Sequence, residues 1–195
     1  MNPGLKALHL IVQFAFDLYI LVILLRLLLQ WVRADFYNPV SQFIVKVTQP
    51  VIVPVRRFVP GWAGIDLATV IILCSLIVAE TAILSLILNL PVSLGGLLVI
   101  SFAILLSKLW WIIFICIIIQ VIMSWVNPSG YNPALSLVNS ITAPVLRPAQ
   151  RMLPPIGGFD LSPILVLLAL QLIDILLIEQ IKHFGQVLSL SSQLL

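Results

Sequence analysis

The sequence predicts an all-α membrane protein with four transmembrane helices, arranged as two parallel repeats of helix, amphipathic connection and helix. Three observations carry that expectation. First, the 195-residue chain is 62% hydrophobic and 9% charged, with mean hydropathy +1.20; a soluble domain carries roughly 25% charged residues, so lipid is the expected solvent. Second, four apolar stretches, at about 5–31, 67–90, 99–125 and 161–181, each reach the length a helix needs to cross ~30 Å of hydrocarbon. Third, the passage YNPVSQFIVKVTQPVIVPVRRFVP from Tyr37 returns, without a gap, as YNPALSLVNSITAPVLRPAQRMLP from Tyr131.

The first stretch is too long for a secretory h-region and no small-residue cleavage site follows it, so it is expected to stay as a span. The repeat then organises the rest. From Trp31 to Leu67, fourteen of 37 positions are identical to those 94 residues later. They include Trp31/Trp125, Asn38/Asn132, Pro39/Pro133, Thr48/Thr142, Pro50/Pro144, Arg57/Arg151 and Asp66/Asp160. Shared hydrophobicity can imitate a matched Leu or Val but not a matched Asn-Pro, Arg or Asp. The units are residues 1–93 and 94–195. Two spans in each send both copies into the membrane in the same direction, giving a parallel repeat.

In each connection, Asn38 or Asn132 suits a helix cap and Pro39 or Pro133 the first helical position. Val40, Phe43, Ile44 and Val47 form a one-sided apolar stripe, repeated by Ala134, Leu137, Val138 and Ile141. Pro50 and Pro144 are expected to stop this short helix, with Thr48 and Thr142 bonding backbone groups freed at the break. Pro54 and Pro148 then start a brief segment bearing Arg57 and Arg151. The passage reads as an interfacial helix whose arginines reach lipid phosphates, with Trp31 and Trp125 at the boundary. A re-entrant pair is the alternative. Asp66 and Asp160 are expected to favour the N-terminus of the following helix, or to pair with Arg57 and Arg151.

Arg33, Lys46, Arg56, Arg57, Arg147 and Arg151 fall in the two connections, and only Lys6 and Lys182 flank the other ends. The positive-inside rule therefore predicts cytoplasmic connections with both termini outside, in a bacterial inner membrane. Asp17, Glu80 and Asp174 lie at similar depth inside spans, with Lys108 slightly farther out. One such acid costs ~2.5–3.5 kcal/mol, so three at one level suggest either a proton- or cation-binding layer or a structural network neutralised by Lys108. Arg26 and its counterpart Gln120 stand before the tryptophans; Arg26 is expected to snorkel or to bond to the proline-rich passage.

Cys74 and Cys116 fall in separate spans, and His9 and His183 near opposite ends of the chain. That spacing offers no metal cluster or thiol nucleophile. With no acid–base pair, Ser-His-Asp set or phosphate-cradling glycine loop in view, no catalytic residue, metal or cofactor is expected, and the chain is read as no enzyme; Gly95-Gly96 reads as a turn. The scattered basic residues suit anionic headgroups of the bilayer rather than nucleic acid. A homo-oligomer is expected.

The duplicated W-x5-YNP…T-x-P-[VI]-x-x-P-x-x-R-x-x-P…D-L pattern resembles the YggT family of small bacterial membrane proteins, across nearly the whole chain. That resemblance implies a four-span inner-membrane protein of two YggT repeats, linked to osmotic or potassium homeostasis and to cell-division or plastid-nucleoid organisation. It brings no chemistry to named residues. Two functional readings follow: ion and osmotic homeostasis through the acidic layer, or a membrane organiser whose amphipathic helices hold lipid or a division or envelope partner.

Overall fold

Asparagine followed by proline opens the first helix. The Asn2 side chain accepts the Gly4 N–H at 3.1 Å and Pro3 stands at the first helical position. In the computed structural model, which describes residues 2–61, 66–126, 132–152 and 160–191, α1 spans Pro3–Trp31 and ends where Arg33 turns left-handed at φ 51°. The chain continues through α2 (Pro39–Arg56), α3 (Leu67–Ile87), α4 (Leu94–Val126), α5 (Pro133–Met152) and α6 (Ser162–Ser191). Asn89, also at φ 51°, closes α3; asparagine tolerates that region better than most residues. Four helices, α1, α3, α4 and α6, are long and apolar enough to cross a membrane, so the chain is a multi-pass membrane protein.

The spans pack in the order α1, α3, α4, α6, with α2 and α5 side by side beneath one end. One buried cluster joins Ile20, Ile23 and Leu24 of α1 to Ile44 of α2, Leu73 and Ile77 of α3 and Ile112 of α4. A second joins the opposite side of α4, through Trp110 and Ile117, to Leu146 of α5 and Val166 and Leu170 of α6. α4 is thus the shared wall between the halves. Cys116 is buried in the first cluster, a small apolar filler.

Three expectations change. Pro50 and Pro144 do not stop their helices: α2 and α5 run straight through Pro50, Pro54, Pro144 and Pro148. These prolines stand four apart on the exposed side of each helix. Each missing N–H therefore strands a carbonyl that faces outward, where water or headgroups can satisfy it. Gly95-Gly96 is not a turn but lies in the first turn of α4, with the Ser93 hydroxyl accepting the Gly96 N–H at 3.1 Å. The fourth span runs ten residues beyond Ile181 and includes one π-helical turn, Asp174–Ile178, between α-helical Ser162–Ile173 and Glu179–Ser191. The Glu179 N–H reaches back five residues to the Asp174 carbonyl, and the Trp110 indole N–H donates to the Leu170 carbonyl at 2.7 Å, just ahead of the change in winding.

The extra length of α6 packs on the start of α4 through small residues. A Cβ on Gly96 would stand 1.9 Å from the Ser189 hydroxyl oxygen and 2.7 Å from the Gly185 carbonyl; one on Gly185 would meet Ile100 at 2.8 Å. With no hydrophobic force between helices in lipid, such close backbone approach supplies the attraction through packing. Gly185→Leu is therefore expected to destabilise the protein by about 1–3 kcal/mol, the cost of overpacking a tight contact. Thermal unfolding in detergent micelles measures it, with Gly95→Leu as the control, since nothing lies within 4 Å of a Cβ there.

Candidate functional site

Three charged residues inside the spans gather at one place. Lys108 of α4 forms ion pairs with Asp17 of α1 and with Glu80 of α3. Its ammonium donates to Glu80 Oε1 at 3.3 Å; Oε2 lies 3.2 Å away but off the hydrogen-bonding direction, and is buried without a donor. Glu80 is buried, while Asp17 is 43% exposed on the outer side of α1. Two carboxylates thus share one ammonium, and with all three ionised the cluster carries one net negative charge.

The surroundings are unequal. Toward the α3–α4 turn, polar groups continue: Thr81 follows Glu80, Ser101 donates to the Thr81 hydroxyl at 3.3 Å, and Ser85 bonds to the Thr81 carbonyl at 2.7 Å. Toward α2, Ile20, Ile23, Leu24, Leu73 and Ile77 are all but fully buried and close the way. Asp174, expected in the same layer, does not join it. It opens the π-turn of α6, half-buried, and its carboxyl group has no hydrogen-bond or ion-pair partner among the described residues. The 94-residue offset matched its depth to that of Glu80, but α3 packs chiefly on α1 and α4 while α6 packs chiefly on α4 and α5. Among the described residues no group of three or more His, Cys, Asp or Glu side chains could hold a metal ion.

A second set of contacts obeys the repeat. Arg26, buried near the end of α1, donates through NH1 to the Thr48 hydroxyl at 2.6 Å and the Val45 carbonyl at 3.4 Å, while the Thr48 hydroxyl donates to the Ile44 carbonyl at 2.7 Å. Their counterparts 94 residues on, the Gln120 amide and Thr142 hydroxyl, also meet, and Thr142 bonds back to the Val138 carbonyl at 3.0 Å. Thr48 and Thr142 therefore do not repair a helix break, as the sequence suggested; they latch each surface helix to the preceding span. Arg26 bonds to the proline-rich passage, one of the two outcomes the sequence allowed.

The Asp66 and Asp160 partners differ from those expected. Asp66 pairs with Arg56, not Arg57, and also accepts the Thr69 hydroxyl at 2.8 Å. Asp160 accepts the Gln150 amide at 2.9 Å, not Arg151, and the Ser162 N–H at 2.8 Å. Helical phase explains both. Arg56 and Gln150 each stand four residues after a buried core residue, Ile52 and Leu146, and so lie on the core side of the helix even though both side chains reach solvent; Arg57 and Arg151 are rotated one residue farther from that side. Burial pushes the Asp66 carboxyl up, but the bonds from Arg56 and Thr69 outweigh it and hold the group below the usual aspartate range. Asp160 is likewise lowered, burial being outweighed by its bonds from Ser162 and Gln150.

Asn38 and Asn132 cap α2 and α5, accepting the Val40 and Ala134 N–H groups at 2.9 Å, with Pro39 and Pro133 following. Buried Asn38 also donates to the Pro133 carbonyl at 2.7 Å and so ties one repeat to the other. Tyr131 lies outside the described residues.

A family model described as CCB3/YggT matches twice, over residues 5–87 and 99–181, at the same 94-residue offset. The chain is 44% identical over 175 residues to an uncharacterized protein of Pseudomonas aeruginosa, covering 88% of each chain. It is 38% identical over 174 residues to the uncharacterized protein YggT of Escherichia coli K12, covering 88% of this chain and 89% of that one. An uncharacterized protein of Haemophilus influenzae is 34% identical over 154 residues, 79% of this chain and 82% of its own. No solved structure matches.

Two outcomes follow from the latches. Thr48→Val strands a buried guanidinium and is expected to cost about 1.5–3 kcal/mol, against about 0.5–1.5 kcal/mol for Thr142→Val, where the lost partner is neutral; unfolding in micelles compares them. Because the Asp66 carboxyl is held low, its contribution to stability is complete above the ordinary aspartate pKa of about 3.9 and is lost only as pH falls through the lowered value. Thermal stability measured against pH should thus stay level through mild acid and fall below it, and Asp66→Asn should remove part of that fall.

Proposed function

The chain belongs to the CCB3/YggT family, and we propose that it takes part in ion homeostasis by binding one proton inside the membrane at Asp17, Glu80 and Lys108. The observation that carries this reading is the charge count: two acids and one ammonium, held together by three helices. Low-dielectric surroundings favour a neutral cluster, and one proton supplies it. Lys108 already occupies the position between the carboxylates that a metal cation would need, so a proton fits better than a monovalent metal ion. Glu80 Oε2, buried and without a donor, is the atom placed to take it.

Thr81, Ser85 and Ser101 give the cluster a polar approach from one side, and the isoleucines and leucines below it block the other. Such a site fills and empties from one face and is no open pore; moving a proton across would require α1 to shift against α3. On the positive-inside rule, the open face is the outer one and α2 and α5 lie in the cytoplasm of a bacterial inner membrane. The reading is non-enzymatic.

A second reading, a membrane organiser, draws on the paired surface helices. Phe43, Val47 and Val51 of α2 are exposed and apolar, with Lys46 beside them, a face suited to headgroups and acyl chains. Ion homeostasis is favoured because the triad retains costly charge at depth.

Purified protein in liposomes carrying an internal pH dye tests the first reading. Wild type is expected to pass protons under an applied pH gradient, and Glu80→Gln to reduce the rate to that of empty vesicles. In parallel, infrared difference spectra should contain a protonated carboxyl band that Glu80→Gln removes. An unchanged flux and an absent band would sink the proton reading.

A further inference from the structure

Between the end of α1 and the length of α2 lies a cavity of about 370 Å³, well separated along α1 from the ion triad. Its polar lining comes from Arg26 and Gln30 of α1 and from Ser41, Gln49 and Arg56 of α2. Ser41 is 5% exposed, and its hydroxyl is buried without a hydrogen-bond partner among the described residues. Arg26, 8% exposed, spends its NH1 on Thr48 and Val45 and forms no ion pair among the described residues. Arg56 alone takes Asp66. Two guanidinium groups and one carboxylate leave one positive charge unbalanced beside an unpartnered hydroxyl.

The second repeat shows that holding the helices together does not demand this charge. There Gln120 replaces Arg26 and still meets its threonine, and Gln150 replaces Arg56 and still meets its aspartate. The second copy has Leu135 for Ser41 and Ala143 for Gln49, while Gln30 is matched by another polar residue, Ser124. The first copy therefore carries, in one cavity, two cations and two polar side chains, Ser41 and Gln49, that the second copy does without. A guanidinium fork and a hydroxyl donor are the groups that recognise phosphate oxygens.

We propose that this cavity binds a phosphate group, a mono- or diester, with Arg26 and Arg56 supplying the charge and Ser41 a hydrogen bond. Leu29, Ile44 and Val53 in the same wall would lie against the carbon skeleton attached to it. The source is either the headgroup of an anionic phospholipid or a soluble phosphate. The proposal rests on neither reading of the preceding subsection: the triad takes no part in it.

The test uses the full-length protein in detergent. In one arm, native mass spectrometry compares retention of phosphatidylglycerol with that of phosphatidylcholine; in the other, inorganic phosphate and glycerol 3-phosphate are compared with chloride for their effect on the melting temperature. The variants are R26Q/R56Q and S41L, which give the first copy residues that the second copy carries at 120, 150 and 135, so the fold is expected to survive. Arg151→Gln, on the exposed side of α5, is the control. Preferential phosphatidylglycerol retention that falls about tenfold in R26Q/R56Q and declines in S41L, but not in Arg151→Gln, supports the site and assigns a lipid source. Stabilisation by the soluble phosphates, lost in the same variants, supports the site and assigns a soluble source. Should R26Q/R56Q unfold, S41L alone decides. Equal binding by wild type and S41L, or no preference for either probe by wild type, overturns the proposal.

Discussion

The bond from Arg26 to the Thr48 hydroxyl fixes where the first surface helix lies, and much of the fold follows from it. A guanidinium buried near the end of a span must find partners within the protein, because hydrocarbon offers none. Thr48 and the Val45 carbonyl supply them only when α2 lies folded back beneath α1. That placement brings Ile44 and Ile52 into the core with α1 and α3, and sets Arg56 on the inward face, within reach of Asp66 at the start of α3. One latch at each end thereby holds the surface helix between its two spans.

The second repeat reaches the same geometry with glutamine in place of arginine. Gln120 with Thr142 and Gln150 with Asp160 reproduce both latches at the same separations in sequence. Both copies keep the hydrogen-bonding positions, with arginine in the first standing where the second has glutamine. The difference is concentrated where the copies face distinct neighbours: α1 and α3 enclose the ion triad with α4, whereas α6 stands at the other edge with Asp174 outside any cluster. The same two latches thus carry a guanidinium in the first copy and a neutral amide in the second.

Several details of this arrangement were hidden in the residue order. Asp66 has two arginines upstream, and the spacing alone allows either; only the phase of α2 against its buried side selects Arg56. Prolines in a polar passage read as breaks, but their effect depends on which side of the helix they occupy, and here they all stand outward. Asp174 matched Glu80 in depth, yet depth is one coordinate of three, and a carboxylate joins a cluster only if a neighbouring helix brings it a partner. Gly96 lay beside another glycine and resembled a turn until the approach of Gly185 and Ser189 gave it a helical purpose.

Residue order alone was enough to read four spans, a parallel duplication, the Asn38 and Asn132 caps of α2 and α5, and charge at depth in the spans. Each of these follows from composition, length or periodicity, quantities that the bilayer and the backbone read locally. Tertiary structure decided which acid shares Lys108, which arginine takes Asp66, that the surface helices are continuous, and that Arg26, Ser41 and Arg56 border one cavity. Those are facts about which faces of separate helices meet, and helix packing in lipid is set by side-chain fit and hydrogen bonding between segments far apart in the chain, for which a linear pattern carries no coordinate.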